Sequence, residues 1–361
     1  MGRLALRPVS DDQTASLPRR EPLSPPTIRQ VAALAGVSTA TVSRVLARSG
    51  RVSADLEEKV RAAARQLNYQ PNRAARNLRA RQGSTVGVLI PDIQNLFFTA
   101  IVRGIDDEVT KFGYTLLLAN SDGSADRERV YLDTFRAEGV AGLLAIPSQH
   151  DERGFRQFLE TGVPLVILDR TVHLPNVDIV TVTNREGAAQ AVAHLIELGH
   201  RRIAMLAGME AHNVGSERHA GYVEALLAAG IDVDPRYIKD AGFERESARI
   251  ATFELLDLPD PPTAIFSGNN TMSLGVLQAL HERGLNAPAD LSLVGFDDMP
   301  WQVAMQPPLT CIAQPTYDIG ATAARLLLER IAEPTRPVRR VVLETALVVR
   351  ASSGPPPQRS R

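Results

Sequence analysis

Residues 27 to 82 constrain this chain more than any other stretch, because two short capped helices, a third helix and an Asn/Arg-rich segment follow one another there without interruption. The first helix opens at Thr27-Ile28-Arg29-Gln30, where a Thr hydroxyl and a Gln side chain three residues on can satisfy each other's backbone N–H groups as a capping box. Ile28, Val31, Leu34 and Ala35 then recur at the spacing of one helical face. Gly36 supplies a left-handed turn that ends this helix, and Ser38 caps a second, Thr39 to Leu46, with Val42, Val45 and Leu46 facing inward. Two helices joined by so short a Gly-containing turn make a helix-turn-helix. A third helix, from Ser53 to about Asn68, sets Leu56, Val60, Ala63, Ala64 and Leu67 against the first two.

The outer face of the second helix carries Thr39, Ala40, Ser43 and Arg44. Small and polar residues at the N-terminal end, with a long Arg one turn later, suit a helix that enters the major groove of DNA. There Arg44 can pair bidentately with guanine and Ala40 can touch a thymine methyl. Thr27, Ser38 and Thr41 complete the candidate contacts of this region. The plain alternative is a solvent-facing Arg on an ordinary helical hairpin.

Charge bears on that choice. Residues 27 to 83 hold eleven Lys/Arg against three Asp/Glu, whereas residues 84 to 361 hold 25 against 35, so a near-neutral total conceals a basic head on an acidic body. A polyanionic partner accounts for the asymmetry, since each cation set against a phosphate releases counterions. A merely solvated surface mixes both signs.

The runs Thr27-Ile28-Arg29-Gln30-Val31-Ala32, Ala35-Gly36-Val37-Ser38, Thr41-Val42-Ser43-Arg44-Val45-Leu46 and Leu67-Asn68-Tyr69-Gln70-Pro71-Asn72 resemble the headpiece of the lac repressor (LacI/GalR) family. The resemblance implies a bacterial transcription regulator that binds a pseudo-palindromic operator as a homodimer, with the second helix in the major groove. It also implies that within a hinge of residues 71–83 the segment Asn72 to Ala80 folds into a helix on DNA, contacting it through Asn72, Arg73 and Ala75, with Leu78 wedged into the minor groove. An apolar wedge costs a few kcal/mol of unstacking, which the contacts of the bent DNA offset. About nine residues is too short for an isolated helix, so the order of this hinge must come from DNA and a partner hinge.

From Ser84 onward short apolar runs alternate with helical patterns: Thr85 to Ile90, Tyr114 to Ala119, Gly142 to Ile146, Leu165 to Asp169, Arg202 to Ala207, Ala264 to Ser267 and Leu291 to Phe296. Such alternation reads as βαβ units in a parallel sheet, where ligands sit beyond the carboxyl ends of the strands. The residues at those ends are polar or aromatic: Asp92 before Phe97-Phe98, Asn120-Ser121-Asp122, Asp169-Arg170, Asn269-Asn270, and Asp297-Asp298 before Trp301, with Arg218 beyond Ala207-Gly208. Carboxylates, amides, an Arg and aromatic faces suit a polyhydroxylated ligand. Each signal also has a simpler source, because Asp and Asn after strands cap helices and Asp169 with Arg218 could form one structural ion pair.

The body resembles the same family through Ile90-Pro91-Asp92, Pro164 to Arg170, Gly199-His200-Arg201, Arg218 before Ala220-Gly221-Tyr222, Asn269 to Gly275, Gly295 to Asp298, and Pro308 to Pro315. That resemblance implies a fold like the periplasmic sugar-binding proteins, two α/β subdomains joined by three crossovers. Phe97, Phe98, Asp169, Arg218, Phe243, Asn270 and Asp297 match positions that line the cleft, and Arg170, His212 and Trp301 join the candidate set. Many relatives carry Asp where Asn270 stands, and His212 does not repeat the Arg of purine-binding relatives. A sugar or sugar derivative is the expected effector.

The expected organisation is thus a tail over 1–26, an all-α headpiece over 27–70, the hinge over 71–83, and an effector-binding and dimerisation body over 84–352. Within the body an N-subdomain of about 84–184 and 314–338 pairs with a C-subdomain of about 185–313 and 339–352, and 353–361 forms a second disordered tail. The first 26 residues lack the apolar segment of an export signal, and no apolar run approaches the ~20 residues that span a bilayer, so a soluble cytoplasmic protein is expected. No Walker loop, no G-x-S-x-G elbow and no metal-spaced His/Cys cluster points to an enzyme or a cofactor. His200 reads as a helix-end residue and Cys311 as a lone core thiol. Tetramers of the family use a C-terminal Leu heptad, which Ser353-Gly354-Pro355-Pro356-Pro357 cannot form, so a dimer and no tetramer is expected.

Overall fold

The computed structural model describes residues 26–46, 52–69, 84–148, 152–208 and 213–357. The chain divides into two compact units between Ala80 and Arg81. In the first, helix α1 (Ile28–Ala35) begins with the expected reciprocal cap: Gln30 N–H donates to Thr27 Oγ1 at 3.4 Å, and Thr27 N–H donates to Gln30 Oε1 at 2.7 Å. Gly36 ends the helix at φ 64°, a conformation that costs glycine little. Thr41 N–H donates to Ser38 Oγ at 3.1 Å and starts α2 (Thr39–Leu46). With α3 (Ala54–Gln66) these helices bury Val31, Ala32, Val42, Val45, Val60, Ala63 and Ala64 in one cluster. Leu34 is not part of it and is 47% exposed. At 100° per residue it falls about 110° round α1 from the face formed by Ile28, Val31, Ala32 and Ala35.

The second unit runs β1 (Thr85–Ile90), α4 (Leu96–Lys111), β2 (Thr115–Asn120), α5 (Ala125–Glu138), β3 (Gly142–Ala145), α6 (Arg153–Leu159), β4 (Leu165–Leu168) and β5 (Asp178–Val182). It continues through α7 (Asn184–Glu197), β6 (Ile203–Ala207), α8 (Asn213–Ala228), β7 (Ile238–Asp240), α9 (Arg245–Leu256), β8 (Ala264–Ser267), α10 (Asn270–Glu282), β9 (Ser292–Phe296) and β10 (Thr310–Ala313). Helix α11 (Thr316–Ala332) and strands β11 (Arg340–Leu343) and β12 (Ala346–Val348) complete it. Two sheets result, β11-β5-β4-β3-β1-β2 and β12-β10-β9-β8-β6-β7, with β10 and β12 the antiparallel pair and the remaining neighbours parallel. Buried Val, Ile and Leu fill the inner strands, as burial on both faces demands.

The chain passes between the sheets after β5, after β10 and between β11 and β12. The third passage corrects the expected boundary at residue 339, because β11 pairs in parallel with β5 and belongs to the first lobe. The first and third passages are joined: Thr345 N–H donates to Thr183 Oγ1 at 2.9 Å, and Thr345 Oγ1 donates to the Thr183 carbonyl at 3.2 Å.

A buried ion cluster fixes β11 in place. Asp178, at the start of β5, accepts from Arg330 Nε at 2.8 Å, from Arg336 Nη2 at 2.6 Å and from the Arg339 N–H at 2.7 Å. In the same lobe α4 and α11 cross closely enough that a Cβ on Gly104 would strike the Tyr317 carbonyl, and one on Gly320 the Ile101 carbonyl.

The segment after β12 packs back on the second lobe, which corrects the expected start of a disordered tail at 353. Ser352 Oγ donates to the Leu293 carbonyl at 2.6 Å, Gly354 N–H donates to Ser292 Oγ at 3.0 Å, and the Gly354 carbonyl lies 2.8 Å from His200 Nε2. His200, just beyond α7, is fully buried with Thr263 Oγ1 at 2.8 Å from Nδ1.

Candidate DNA-contacting helix and ligand cleft

In the headpiece, Ser38, Thr39, Ala40 and Arg44 are exposed, while Thr41 and Ser43 are half-buried. Thr27 is exposed, although its side chain serves the cap of α1. The Ser38 and Thr41 hydroxyls lie 2.9 Å apart and order the start of α2. All three acidic residues of the basic segment lie on α3, paired as Asp55–Lys59 at 2.7 Å, Glu57–Arg61 at 2.7 Å and Glu58–Arg65 at 3.4 Å. Helices α1 and α2 therefore carry no carboxylate to repel a phosphate. Asn72, Arg73, Ala75 and Leu78 lie outside the described residues.

In the body, the C-terminal ends of the two sheets face a common cavity of about 470 Å³. Phe97, Phe98, Asp169, Arg170, Arg218, Phe243 and Asp297 all line it. Its shape depends on strained turns: Asp122, Asp169, Phe243 and Asp297 have φ of 49°, 64°, 62° and 77°. Positive φ at residues other than glycine gathers at ligand sites because it re-aims a side chain that regular backbone would point elsewhere. Gly208 makes room for one of them, since a Cβ there would collide with the Phe243 ring.

Each charged group at the buried end is held by neighbours. Asp297 accepts from Gln314 Nε2 at 2.6 Å through one oxygen and from the Asn270 N–H at 3.1 Å through the other. Arg218 donates to Asn184 Oδ1 at 2.9 Å and to the Gly268 carbonyl at 2.6 Å, with its guanidinium 3.6 Å from the centroid of Phe296. It is thus secured by amide, carbonyl and ring, and is not in a closed ion pair with Asp169. Arg170 Nη1 donates to the Pro147 carbonyl, its Nε is buried without a hydrogen-bond partner, and Asp169 Oδ2 lies 3.9 Å from that Nε.

Burial pushes the carboxyls of Asp169 and Asp297 above the usual range, against the pull of Arg170 and Arg218 on the first and of Arg218 on the second. Burial likewise lowers Arg218, and it lowers Arg170 to about 10. Poorly hydrated charges of both signs, held rigid before any ligand arrives, are what directional recognition of hydroxyls needs.

Two candidates from the sequence sit elsewhere and one cannot be placed. Asn270 is buried beside the cavity, not in its lining: its Nδ2 donates to Asn95 Oδ1 at 2.8 Å, while Asn95 Nδ2 reaches Asn270 Oδ1 at 3.4 Å. Trp301 packs with Met299 on the apolar cluster of the first lobe, where its large ring gains more from burial than from a polar cleft. His212 lies outside the described residues. Asn95, Glu244 and Arg245 line the cavity although nothing in the sequence singled them out. Asn95 reads as the N-cap of α4, which it also is, accepting from the Phe97 N–H at 3.0 Å.

Residues 27–72 match the family described as bacterial regulatory proteins, lacI family, and residues 192–353 match the periplasmic binding protein-like domain. The chain is also 35% identical over 328 residues to the HTH-type transcriptional repressor PurR of Vibrio atlanticus (strain LGP32), covering 90% of this chain and 98% of that protein. The chain belongs to the LacI family. As a LacI-family member it is a DNA-binding transcriptional regulator with a ligand-binding body. Among solved structures of the family, the transcriptional regulator CelR-cellobiose complex is 37% identical with a TM-score of 0.69, covering 91% of this chain and 99% of that one. The lac repressor dimer bound to operator and the anti-inducer ONPF is 30% identical with a TM-score of 0.80, again covering 91% and 99%. No helix among the described residues is long and apolar enough to cross a membrane.

Proposed function

We propose that this LacI-family regulator is a repressor that binds a pseudo-palindromic operator as a homodimer and releases or grips it in response to a sugar or sugar derivative in the body cleft. The observation that carries the reading is α2, whose exposed Ser38, Thr39, Ala40 and Arg44 form the face a major groove requires, on a headpiece whose carboxylates are all confined to α3. Thr27, Ser43 and the hinge residues Asn72, Arg73, Ala75 and Leu78 are assigned to the same DNA contact. One headpiece reads half a site, so two-fold protein symmetry matches a palindromic operator. The lac repressor solved as a dimer on its operator supports that assembly.

In the cleft, Asp169, Arg218 and Asp297 bind hydroxyls while Phe97, Phe98 and Phe243 cover apolar ring faces. The coupling of cleft to operator is reciprocal: a ligand that weakens DNA binding is itself weakened by DNA, by the same factor. Relatives named as HTH-type transcriptional repressors, PurR and CytR among them, support regulation without catalysis and action beside DNA in the cytoplasm. The test is selection of binding sites from random DNA with and without a panel of sugars and nucleobases. A two-fold symmetric motif whose occupancy one sugar alters is the expected result, and no enriched motif under any condition overturns the reading.

A further inference from the structure

The partners of Arg218 belong to different parts of the body. The Gly268 carbonyl and the Phe296 ring stand at the ends of β8 and β9, inside the second lobe. Asn184 instead opens α7 and directly follows Thr183, the crossover residue hydrogen-bonded to Thr345. The first turn of α7 is bound to both crossovers: Gly187 N–H donates to the Thr183 carbonyl at 3.0 Å, and a Cβ on Gly187 would stand 2.6 Å from Thr345 Oγ1. Packing that close makes helix and crossovers move as one piece. Helix α8, which carries Arg218, lies against α7 so closely that a Cβ on Gly221 would strike the Arg185 carbonyl. At the start of α8, Asn213 Oδ1 accepts from the Thr171 N–H of the first lobe at 3.2 Å.

The amide of Asn184 is turned toward Arg218 at its own cost. Its Oδ1 accepts from Arg218 Nε at 2.9 Å, whereas its Nδ2 is buried without a hydrogen-bond partner in a residue only 1% exposed. Turning the amide over would aim Nδ2 at a guanidinium that can only donate. The idle donor stands near the Glu217 carboxylate, close enough to offset part of the rise that burial gives that carboxyl, but not in bonding geometry. A buried donor left idle costs stability, and a residue that merely started α7 would bear no such cost. Holding Arg218 is what the orientation achieves.

We propose that Asn184 is a positioning residue that ties Arg218 to the crossovers, so that movement of the lobes and grip on the ligand are coupled through one buried amide. This inference rests on the assignment of Arg218 to the ligand site and adds a residue that is outside the cavity lining. When the lobes move about Thr183 and Thr345, Asn184 moves with them and Arg218 follows. A ligand that fixes Arg218 fixes the crossovers in return, because coupling between two sites is reciprocal.

The test uses the full chain, with ribose, glucose, galactose and cellobiose as probes in titration calorimetry, and operator binding with and without the probe that binds wild type best. Asn184→Leu is expected to weaken that probe about tenfold or more, as loss of a hydrogen bond to a charged group does. Even at saturating probe, operator affinity of this variant should respond by a smaller factor than that of wild type. The Nε–H resonance of Arg218, identified with Arg218→Lys, should lose its protection from exchange. Asn184→Asp combined with Glu217→Gln keeps an acceptor for Arg218 and sets an amide, not a second carboxylate, beside it. That pair should restore the Nε–H protection and most of both responses, which a general loss of packing would not allow.

Unchanged binding and Nε–H protection in Asn184→Leu overturn the inference. So does weaker binding with a full operator response at saturation, which leaves Asn184 a local prop of Arg218. If Asn184→Leu does not fold, the double variant decides, and a folded protein whose Arg218 Nε–H is unprotected overturns the inference. If no sugar binds wild type, the sugar reading falls by itself, and the Nε–H protection still decides whether Asn184 holds Arg218.

Discussion

Asn95 and Asn270 face each other across the cleft and exchange amide hydrogen bonds, at 2.8 Å in one direction and 3.4 Å in the other. One caps α4 in the first lobe and the other opens α10 in the second, so the pair joins the lobes beside the ligand site. Asn270→Ala leaves its backbone donation to Asp297 in place but removes the bridge, a loss of about 1 kcal/mol that shifts the balance of lobe separations several-fold. Small-angle scattering of the unliganded protein is expected to report a larger mean separation, and an unchanged profile would remove the pair from control of closure.

Arg44→Ala is expected to weaken operator binding by roughly 1 to 3 kcal/mol and to relax base preference at one position in each half-site. The measurement is a binding isotherm on the selected operator and on random DNA of equal length. Equal losses on the two would make Arg44 a phosphate contact instead.

Asp297→Ala is expected to abolish the ligand response while operator affinity without ligand stays within twofold of wild type. Burial has raised the carboxyls of Asp297 and Asp169, so both take up protons at a higher pH than an ordinary aspartate near 3.9. A protonated carboxyl is a poorer acceptor for a ligand hydroxyl. Ligand affinity should therefore fall on acidification before the exposed carboxylates titrate, and a flat profile from pH 7 down to pH 4 would contradict the assignment.

Asp178→Ala is expected to destabilise the body by roughly 3 to 5 kcal/mol, because it leaves the buried Arg330 and Arg336 without their shared counter-charge. Burial alone would raise the Asp178 carboxyl, but hydrogen bonds from Arg330 and the Arg339 backbone, with the charges of both guanidiniums, hold it below its ordinary value. A depressed carboxyl contributes its full stability above the unfolded value near 3.9 and loses it as pH falls through the folded one. Thermal unfolding of wild type and Asp178→Asn should thus converge below about pH 4, and parallel curves down to pH 3 would refute the sign.

The headpiece was legible because its signals are local. Thr27 with Gln30, Gly36 at a left-handed turn and Ser38 before α2 each act within four residues, and chain neighbours suffice to form them. Strands such as β1, β3, β4, β8 and β9 announce themselves as apolar runs for the same reason. Strand β11 does not, since Arg340–Leu343 alternates exposed and half-buried positions and is a strand only because β5, more than 150 residues earlier, pairs with it. That distant pairing is why the boundary near 339 fell on the wrong side. In the cleft the same division holds: Asp169 and Asp297 directly follow strands and Arg218 lies on the helix after β6, whereas Asn95 reads only as a helix cap, and only the folded body brings it to Asn270.

Both lobes take their last strand from one short stretch, β11 for the first sheet and β12 for the second, and Ser352 to Gly354 then close over Ser292 and His200. A nascent chain emerging from the ribosome has therefore completed neither lobe when α11 is already out. Until the stretch from Arg340 to Gly354 follows, β5 and β10 remain open flanks available to other chains. A stop codon at the start of that stretch, before β11 is made, strips an edge strand from both halves of the body at once, and the cell would meet such a product as an aggregate or a protease substrate, not as a regulator deaf to its ligand.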